Sequence, residues 1–318
     1  MRRVLAILCA VSLLCSCGLG KGGGKAAQTV SSFPAVQLPS MLSDRTEIAS
    51  YMVQHYWDGF FRLDVPTDST QINGVPRPMV EQAVADYIAY LEFAPLKEAR
   101  KSVEALFSSA EALGGRDMLG FNLLCETVSR YMYDPNSPMR NEDFYLPFVK
   151  GLSESELVAD DMKPAYRHDF EMCSMNQVGQ QVPDFTFRTI RGKDETLYGV
   201  NSAFTMLFFS NPGCNACKQI IDEVSTRPYI DSFISSGVLA IVNVYIDEDL
   251  EAWKEYSVNY PTNWHNGYDP TYSIREDLLF NVRAIPSLYL LDADKRVIMK
   301  DAPTEKVLNY LDRTANNL

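Results

Sequence analysis

The segment Phe204-Thr205-Met206-Leu207-Phe208-Phe209 is an unbroken apolar run, followed at once by Ser210-Asn211-Pro212-Gly213-Cys214-Asn215-Ala216-Cys217-Lys218. Such a run reads as a strand buried on both faces, the kind found at the centre of a helix-covered sheet. The residues from Cys214 onward read as a helix. Cys214 therefore stands at a strand-to-helix junction. There it meets the unpaired amides and the positive end of the helix dipole, which favour a thiolate. Cys217 lies one turn further in, is shielded, and can attack a mixed disulfide formed on Cys214. Cys214 is the expected nucleophile and Cys217 the resolving thiol, with Asn215 and Ala216 between them as candidate substrate contacts. The redox group is then the Cys214–Cys217 pair itself, with no further cofactor.

The rest of the chain changes texture near residue 180. After Val182, short strands at 184–187 and 196–198 precede the apolar run. A second buried strand over 238–246, a helix over 250–256 and a hairpin of 287–291 with 297–299 follow it. A terminal helix covers 304–313. Strands alternating with helices argue for an α/β domain with an antiparallel edge. Before residue 180 the pattern is helical. Apolar residues recur at helix spacing over 79–91, 96–113 and 118–132, another helix follows Asp44, and a last one begins near Pro164,. This half shows neither an internal repeat nor a catalytic motif. A length of 318 residues allows two domains at ~150 residues each,. The expected divisions are a signal over 1–16, a Gly-rich tether over 17–42, an all-α helical domain over 43–178 and an α/β domain over 179–318.

The N-terminus supplies the expected address. Met1-Arg2-Arg3 precedes an apolar run from Val4 to Leu14, the two regions of a secretory signal. The run is far short of the ~20 residues that span a bilayer. Leu14-Cys15-Ser16-Cys17-Gly18 resembles the bacterial lipobox, which implies cleavage before Cys17 and a lipid on it. The Gly-rich stretch after Cys17 suits a flexible tether. It carries no acidic run of the kind that resembles a surface-export tag, which favours a cell-envelope protein facing the periplasm. That compartment is oxidising, so cysteine pairs can form disulfides there.

Downstream, Ala284-Ile285-Pro286-Ser287-Leu288-Tyr289-Leu290-Leu291-Asp292 completes a wider pattern. The Cys-x-x-Cys, the strand order and this Ile-Pro together resemble the thioredoxin superfamily. The resemblance implies an α/β thioredoxin fold in which Pro286 is cis and faces the cysteines, and in which the backbone of Ile285 pairs with substrate. Val182-Pro183-Asp184-Phe185-Thr186-Phe187 resembles the opening of TlpA- and ResA-like periplasmic thioredoxins. Tyr51-Met52-Val53-Gln54-His55-Tyr56-Trp57-Asp58-Gly59-Phe60 looks like the uncharacterised helical domain that precedes such a thioredoxin domain in Bacteroidetes lipoproteins. The family resemblance implies a disulfide reductase acting on client proteins and recharged by an inner-membrane thiol electron donor. Two positions depart from the superfamily. Many thioredoxins carry a buried Asp where this chain has Phe208, and a Trp near the motif where it has Asn211-Pro212-Gly213. Glu223 and Asp247 are the alternative proton acceptors, and Lys218 reads as a solvated helix residue.

Other chemistries fit less well. Zinc needs four ligands with metal spacing, whereas this chain has one Cys-x-x-Cys and three histidines, His55, His168 and His265. No metal site is expected. A peroxiredoxin would show a Thr-x-x-Cys, but Ser210 and Gly213 occupy the matching places. With 29 basic and 41 acidic residues the formal charge is −12, a poor composition for binding nucleic acid. Cys125, on an apolar helix face, reads as a buried thiol, with a disulfide to Cys173 as the alternative. His55 and the Trp264-His265 pair read as structural. A non-catalytic scaffold that recruits a partner through its helical half is the competing function, and it leaves the paired thiols without a use. Asn215-Ala216 brings no charge that would strongly stabilise a thiolate, which leans the pair toward reduction.

Overall fold

The computed structural model describes residues 32–315. The expected signal, Cys17 and the Gly-rich stretch after it lie outside them. Helix α1 (Arg45–His55) starts where Asp44 accepts the amides of Thr46 and Glu47 at 2.9 and 3.0 Å, satisfying donors that the first turn leaves unpaired. Helix α2 (Asp58–Phe61) is a single turn. Strands β1 (Gln71–Ile72) and β2 (Val75–Pro76) then form a small hairpin that the all-α expectation did not include. Asn73 and Gly74 have φ of 46° and 81°, the left-handed pair required by a type I′ turn. Asn73 is buried, and its side-chain amide donates to the Phe60 carbonyl at 2.7 Å.

Helices α3 (Arg77–Leu91), α4 (Leu96–Gly114) and α5 (Met118–Met132) follow the apolar periodicity. Their buried stripes meet in one core: Val84, Tyr87 and Leu91 of α3, Val103 and Phe107 of α4, Phe121, Leu124 and Val128 of α5. Met79 and Met118 stay exposed at the helix starts. Two further helices, α6 (Glu142–Glu154) and α7 (Lys163–Ser174), complete this half. The sequence pattern does not announce α6, because Pro147 lies inside it and a proline normally ends a helix. Here Asn141 caps the helix through the Phe144 amide at 3.1 Å, and Phe144, Tyr145, Phe148, Val149 and Leu152 all enter the core.

The second half is a seven-stranded mixed sheet. Its first strands are β3 (Thr186–Thr189), β4 (Asp194–Thr196) and β5 (Phe204–Phe209), followed by α8 (Asn215–Ser225) and α9 (Ile230–Ser235). Strand β6 (Leu239–Tyr245), α10 (Leu250–Tyr256), β7 (His265–Tyr268) and α11 (Ser273–Glu276) come next. Strands β8 (Ser287–Leu291) and β9 (Val297–Met299) and helix α12 (Thr304–Ala315) finish the chain. The spatial order is β4-β3-β7-β6-β5-β8-β9. β5 and β6 run parallel, as do β6 and β7, whereas β8 is antiparallel to β5. The strand expected at 196–198 is displaced to 194–196. Leu197 instead turns inward and is buried, while Tyr198 stays exposed and its hydroxyl donates to the Val182 carbonyl at 2.5 Å. His265 is the first residue of β7.

Alternation along β5 creates two cores. Met206 and Phe208 pack under α8, α9, α10 and α12, while Leu207 and Phe209 pack against Phe187, Leu197, Ile274 and Phe280 on the other face. The two halves of the chain touch through buried charge. Lys300, just after β9, is fully buried and points its ammonium at the carbonyls that end α7, those of Cys173 at 3.1 Å and Met175 at 2.5 Å. A cation there offsets the negative end of the helix.

Gly151 of α6 sits against α4 so closely that a Cβ would lie 2.2 Å from the Phe107 ring. Gly151→Ala should therefore cost about 1–3 kcal/mol through overpacking, read as a lower urea midpoint for the helical half. An unchanged midpoint would mean that Phe107 can step aside freely.

Candidate active site

The loop after β5 is built by its turn residues. Gly213 has φ of 70°, and the Cys214 amide donates to the Asn211 carbonyl at 3.3 Å. With Pro212 before it, this is the signature of a type II turn, in which the third position needs a positive φ. The turn delivers Cys214 to the N-cap of α8, in extended conformation, with its Sγ accepting the Cys217 amide at 3.1 Å. Cys214 is half-buried; Cys217 is 2 % exposed and bonded to Cys214 as a disulfide, with Cα atoms 5.2 Å apart. Asn215 and Ala216 are exposed beside them.

Register brings the second element to the same place. Ser287, the first residue of β8, pairs with Phe209, the last of β5. Because these strands are antiparallel, the segment before β8 lies at the end of the sheet that carries the cysteine loop. The Ile285–Pro286 bond there is cis. Ile285 packs against both cores of the sheet, one of which contains Cys217. Its amide and carbonyl make no backbone hydrogen bond among the described residues.

Comparison with solved structures places the fold. A thioredoxin-like protein from Bacteroides caccae is 32% identical, with 89% of this chain and 99% of that one covered and a TM-score of 0.76. The chain belongs to this thioredoxin-like family. The C-terminal domain of an uncharacterized protein from Bacteroides fragilis is 39% identical over 43% of this chain and 98% of its own, with a TM-score of 0.42. A conserved protein of unknown function from the same species is 33% identical over 42% of this chain and 98% of its own, with a TM-score of 0.41. A family profile described as a domain of unknown function (DUF5106) matches residues 21–176. Comparison with curated proteins returns no match.

This thioredoxin-like protein departs from the superfamily beneath the inner thiol. Phe208 is fully buried in the cluster that holds Cys217, so an aromatic ring occupies the place of the carboxylate. Asp247 is engaged elsewhere, accepting from the side-chain amide of Asn211 and pairing with Arg275. Glu223 accepts from Gln219 at 2.9 Å on α8. Lys218 pairs with Asp222 at 2.6 Å on the exposed face of the same helix; that hydrogen bond raises its pKa.

Sequence reasoning missed a buried polar chain under the loop. The hydroxyl of Ser210 donates to Asn243 Oδ1 at 2.5 Å, and Asn243 Nδ2 donates to Asn266 Oδ1 at 3.0 Å. The Tyr260 hydroxyl stands 3.4 Å from Ser210. These groups join the end of β5 to β6, β7 and the Tyr260 segment; the neighbouring Asn211 has a buried Oδ1 without a partner. The available signal was Asn243 itself, one amide inside the apolar run Leu239–Tyr245, since a buried amide needs partners.

The remaining candidates lie apart from the cysteine pair. His265 pairs with Glu195 at 2.9 Å toward the opposite edge of the sheet, and His55 with Asp58 at 3.0 Å in the helical half. Among the described residues no group of His, Cys, Asp and Glu is arranged to hold a metal ion, and no helix is long and apolar enough to cross a membrane. A cavity of about 760 Å³ between α1, α2 and α4 is lined by Trp57, Phe61 and Glu98, and no cysteine reaches it.

Cys125 and Cys173 are free, buried thiols, so the alternative disulfide between them is not formed. Burial pushes both thiols well above their ordinary range, which leaves them as unreactive thiols at neutral pH. After mild reduction, iodoacetamide at pH 8 should label Cys214 in the folded protein. Cys125 and Cys173 should be labelled only in denaturant, as read by peptide mass spectrometry. Labelling of Cys125 at the rate of Cys214 would contradict this placement.

Proposed function

We propose that the chain is a thiol–disulfide oxidoreductase of the cell envelope, anchored through a lipid on Cys17 and facing the periplasm, that reduces disulfides in client proteins. The observation that carries the reading is the unequal exposure of the pair: a half-buried Cys214 at a helix N-cap, with a buried Cys217 bonded behind it. A pure scaffold has no use for this arrangement.

In the reduced state the Cys214 thiolate attacks one sulfur of the client disulfide. A bond forms between Cys214 and that sulfur, and the other client sulfur leaves as a thiolate. The thiolate of Cys217 then attacks the Cys214 sulfur and expels the second client thiolate, which is protonated in water. The client gains two electrons and the chain closes its own disulfide, so a thiol donor must reopen it. An inner-membrane thiol donor fits that need. The amides of the first turn of α8 and its dipole favour the attacking thiolate form of Cys214. Ile285, with its backbone unpaired, offers the client segment a strand-like partner, with Pro286 beside it and Asn215 and Ala216 on the rim. These contacts favour disulfides held in extended segments.

Exchanging both Cys214 and Cys217 for Ser should reduce insulin turnover with dithiothreitol to the rate of dithiothreitol alone. Unchanged turnover would remove the enzyme reading. Equilibration of the wild-type pair with glutathione tests direction: a potential well below about −120 mV, the oxidising extreme for such pairs, is expected. A potential at that value would make the protein an oxidant.

The anchor has its own test. Cys17→Ser should move the protein from the membrane fraction to the soluble fraction, and a wild-type chain that is already soluble would remove it.

A further inference from the structure

The loop that faces the cysteines is held from the other half of the molecule. Arg283, two residues before Ile285, is largely buried, with 12 % of its side chain exposed, and points at α6. Its Nε lies 2.8 Å from Glu142 Oε1, its Nη2 lies 3.0 Å from Asp301, and it donates to the Tyr133 carbonyl while its guanidinium covers the Tyr133 ring at 4.1 Å. On the other side of Pro286, the Ser287 hydroxyl donates to Asp301 at 3.0 Å. Asn281 donates to the same Glu142 oxygen at 3.0 Å. Glu142 is 2 % exposed at the first position of α6. One carboxylate of the helical half thus holds two residues ahead of Pro286, while Asp301 ties Arg283 to Ser287 beyond it.

We propose that Glu142 and Arg283 are positioning residues through which the helical half sets the client-binding edge at Ile285. This rests on the thiol-exchange reading of the function and gives the helical half a part in it. The thiols of α8 are positioned by β5 and their own cap, and no contact of Glu142 or Arg283 reaches them. The edge that a protein client must pair with is not so self-sufficient, since Arg283, Ala284 and Ile285 lie outside any strand. Guanidinium geometry suits this task, because its fork faces two carboxylates and a carbonyl from one rigid plane,. The consequence is selective. A large client, which needs the edge, feels the loss of Glu142 or Arg283; a small disulfide, which needs only the Cys214 sulfur, does not.

The test compares the full chain with Glu142→Gln and Arg283→Met, and with Arg283→Lys as the conservative variant. Thermal unfolding confirms that each variant folds. Reduction of insulin is expected to slow by about tenfold or more in the first two, as misplacement of a substrate-orienting group does. Reduction of oxidised glutathione and the equilibrium with glutathione should stay within about twofold of wild type, the near-neutral range expected of groups that touch neither thiol. Arg283→Lys should recover part of the insulin rate. Equal losses on both substrates, or no loss on either, would overturn the proposal. Hydrogen exchange of the 283–289 segment gives a readout that does not depend on activity. Its protection should fall in Glu142→Gln while that of Leu239–Tyr245 does not, and unchanged protection at 283–289 would also overturn it. This measurement still decides the matter where Arg283→Met fails to fold. Wild-type protein that reduces no insulin would count against the thiol-exchange reading alone, because the exchange experiment still reports whether Glu142 holds the loop.

Discussion

Strand β5 has no solvent-facing side, and the position of every reactive group follows from that burial. Met206, Leu207, Phe208 and Phe209 are all fully covered, and each such side chain contributes about 1.5–3 kcal/mol relative to exposure. Burying both faces requires layers above and below, supplied by α8 and α12 on one side and the Phe187–Phe280 packing on the other. With the strand held so firmly, its C-terminal end is a fixed point. Ser210 anchors that end into β6, and the turn through Gly213 carries Cys214 from there to the cap of α8.

The same burial explains the departure at Phe208. A carboxylate at this position would have to be desolvated among Met206, Leu288 and Trp253, and a buried charge without a partner is costly. This chain fills the space with an aromatic ring and gathers its buried polar groups around Ser210, two residues further along, with Asn243 and Tyr260. Proton transfer from Cys217 must then use groups other than a carboxylate directly beneath it.

Charge burial between the halves works under a different constraint. Glu142, Arg283, Lys300 and Asp301 are each nearly inaccessible. Breaking one partner of such a cluster typically costs about 3–5 kcal/mol, because it strands the others. The cluster joins the helical half to the sheet at defined points, Glu142 to Arg283 and Lys300. The loop it reaches is the one that carries Ile285 and Pro286.

Helix faces over 79–132 and the central strand were legible in the residues, because burial imposes periods of 3.6 and 2 that a single chain displays. The Cys-x-x-Cys and its strand-to-helix setting were legible for the same local reason. The hairpin at Asn73-Gly74 carried a readable turn signal. Helix α6 and strand β7 were hidden: Pro147 masks the first, and His265-Asn266-Gly267-Tyr268 has little apolar character, since β7 is stabilised by pairing with β6 and β3. By itself the sequence determined the chemistry on offer, two thiols of unequal exposure at a helix cap, because caps, turns and periodicity are local. Only the tertiary structure decided that Asp247 is taken by Asn211 and Arg275, that Cys125 and Cys173 stay free, and that Glu142 reaches Arg283 from the other half. Those pairings join residues far apart in the chain, and no local pattern encodes which distant group will fill a buried valence.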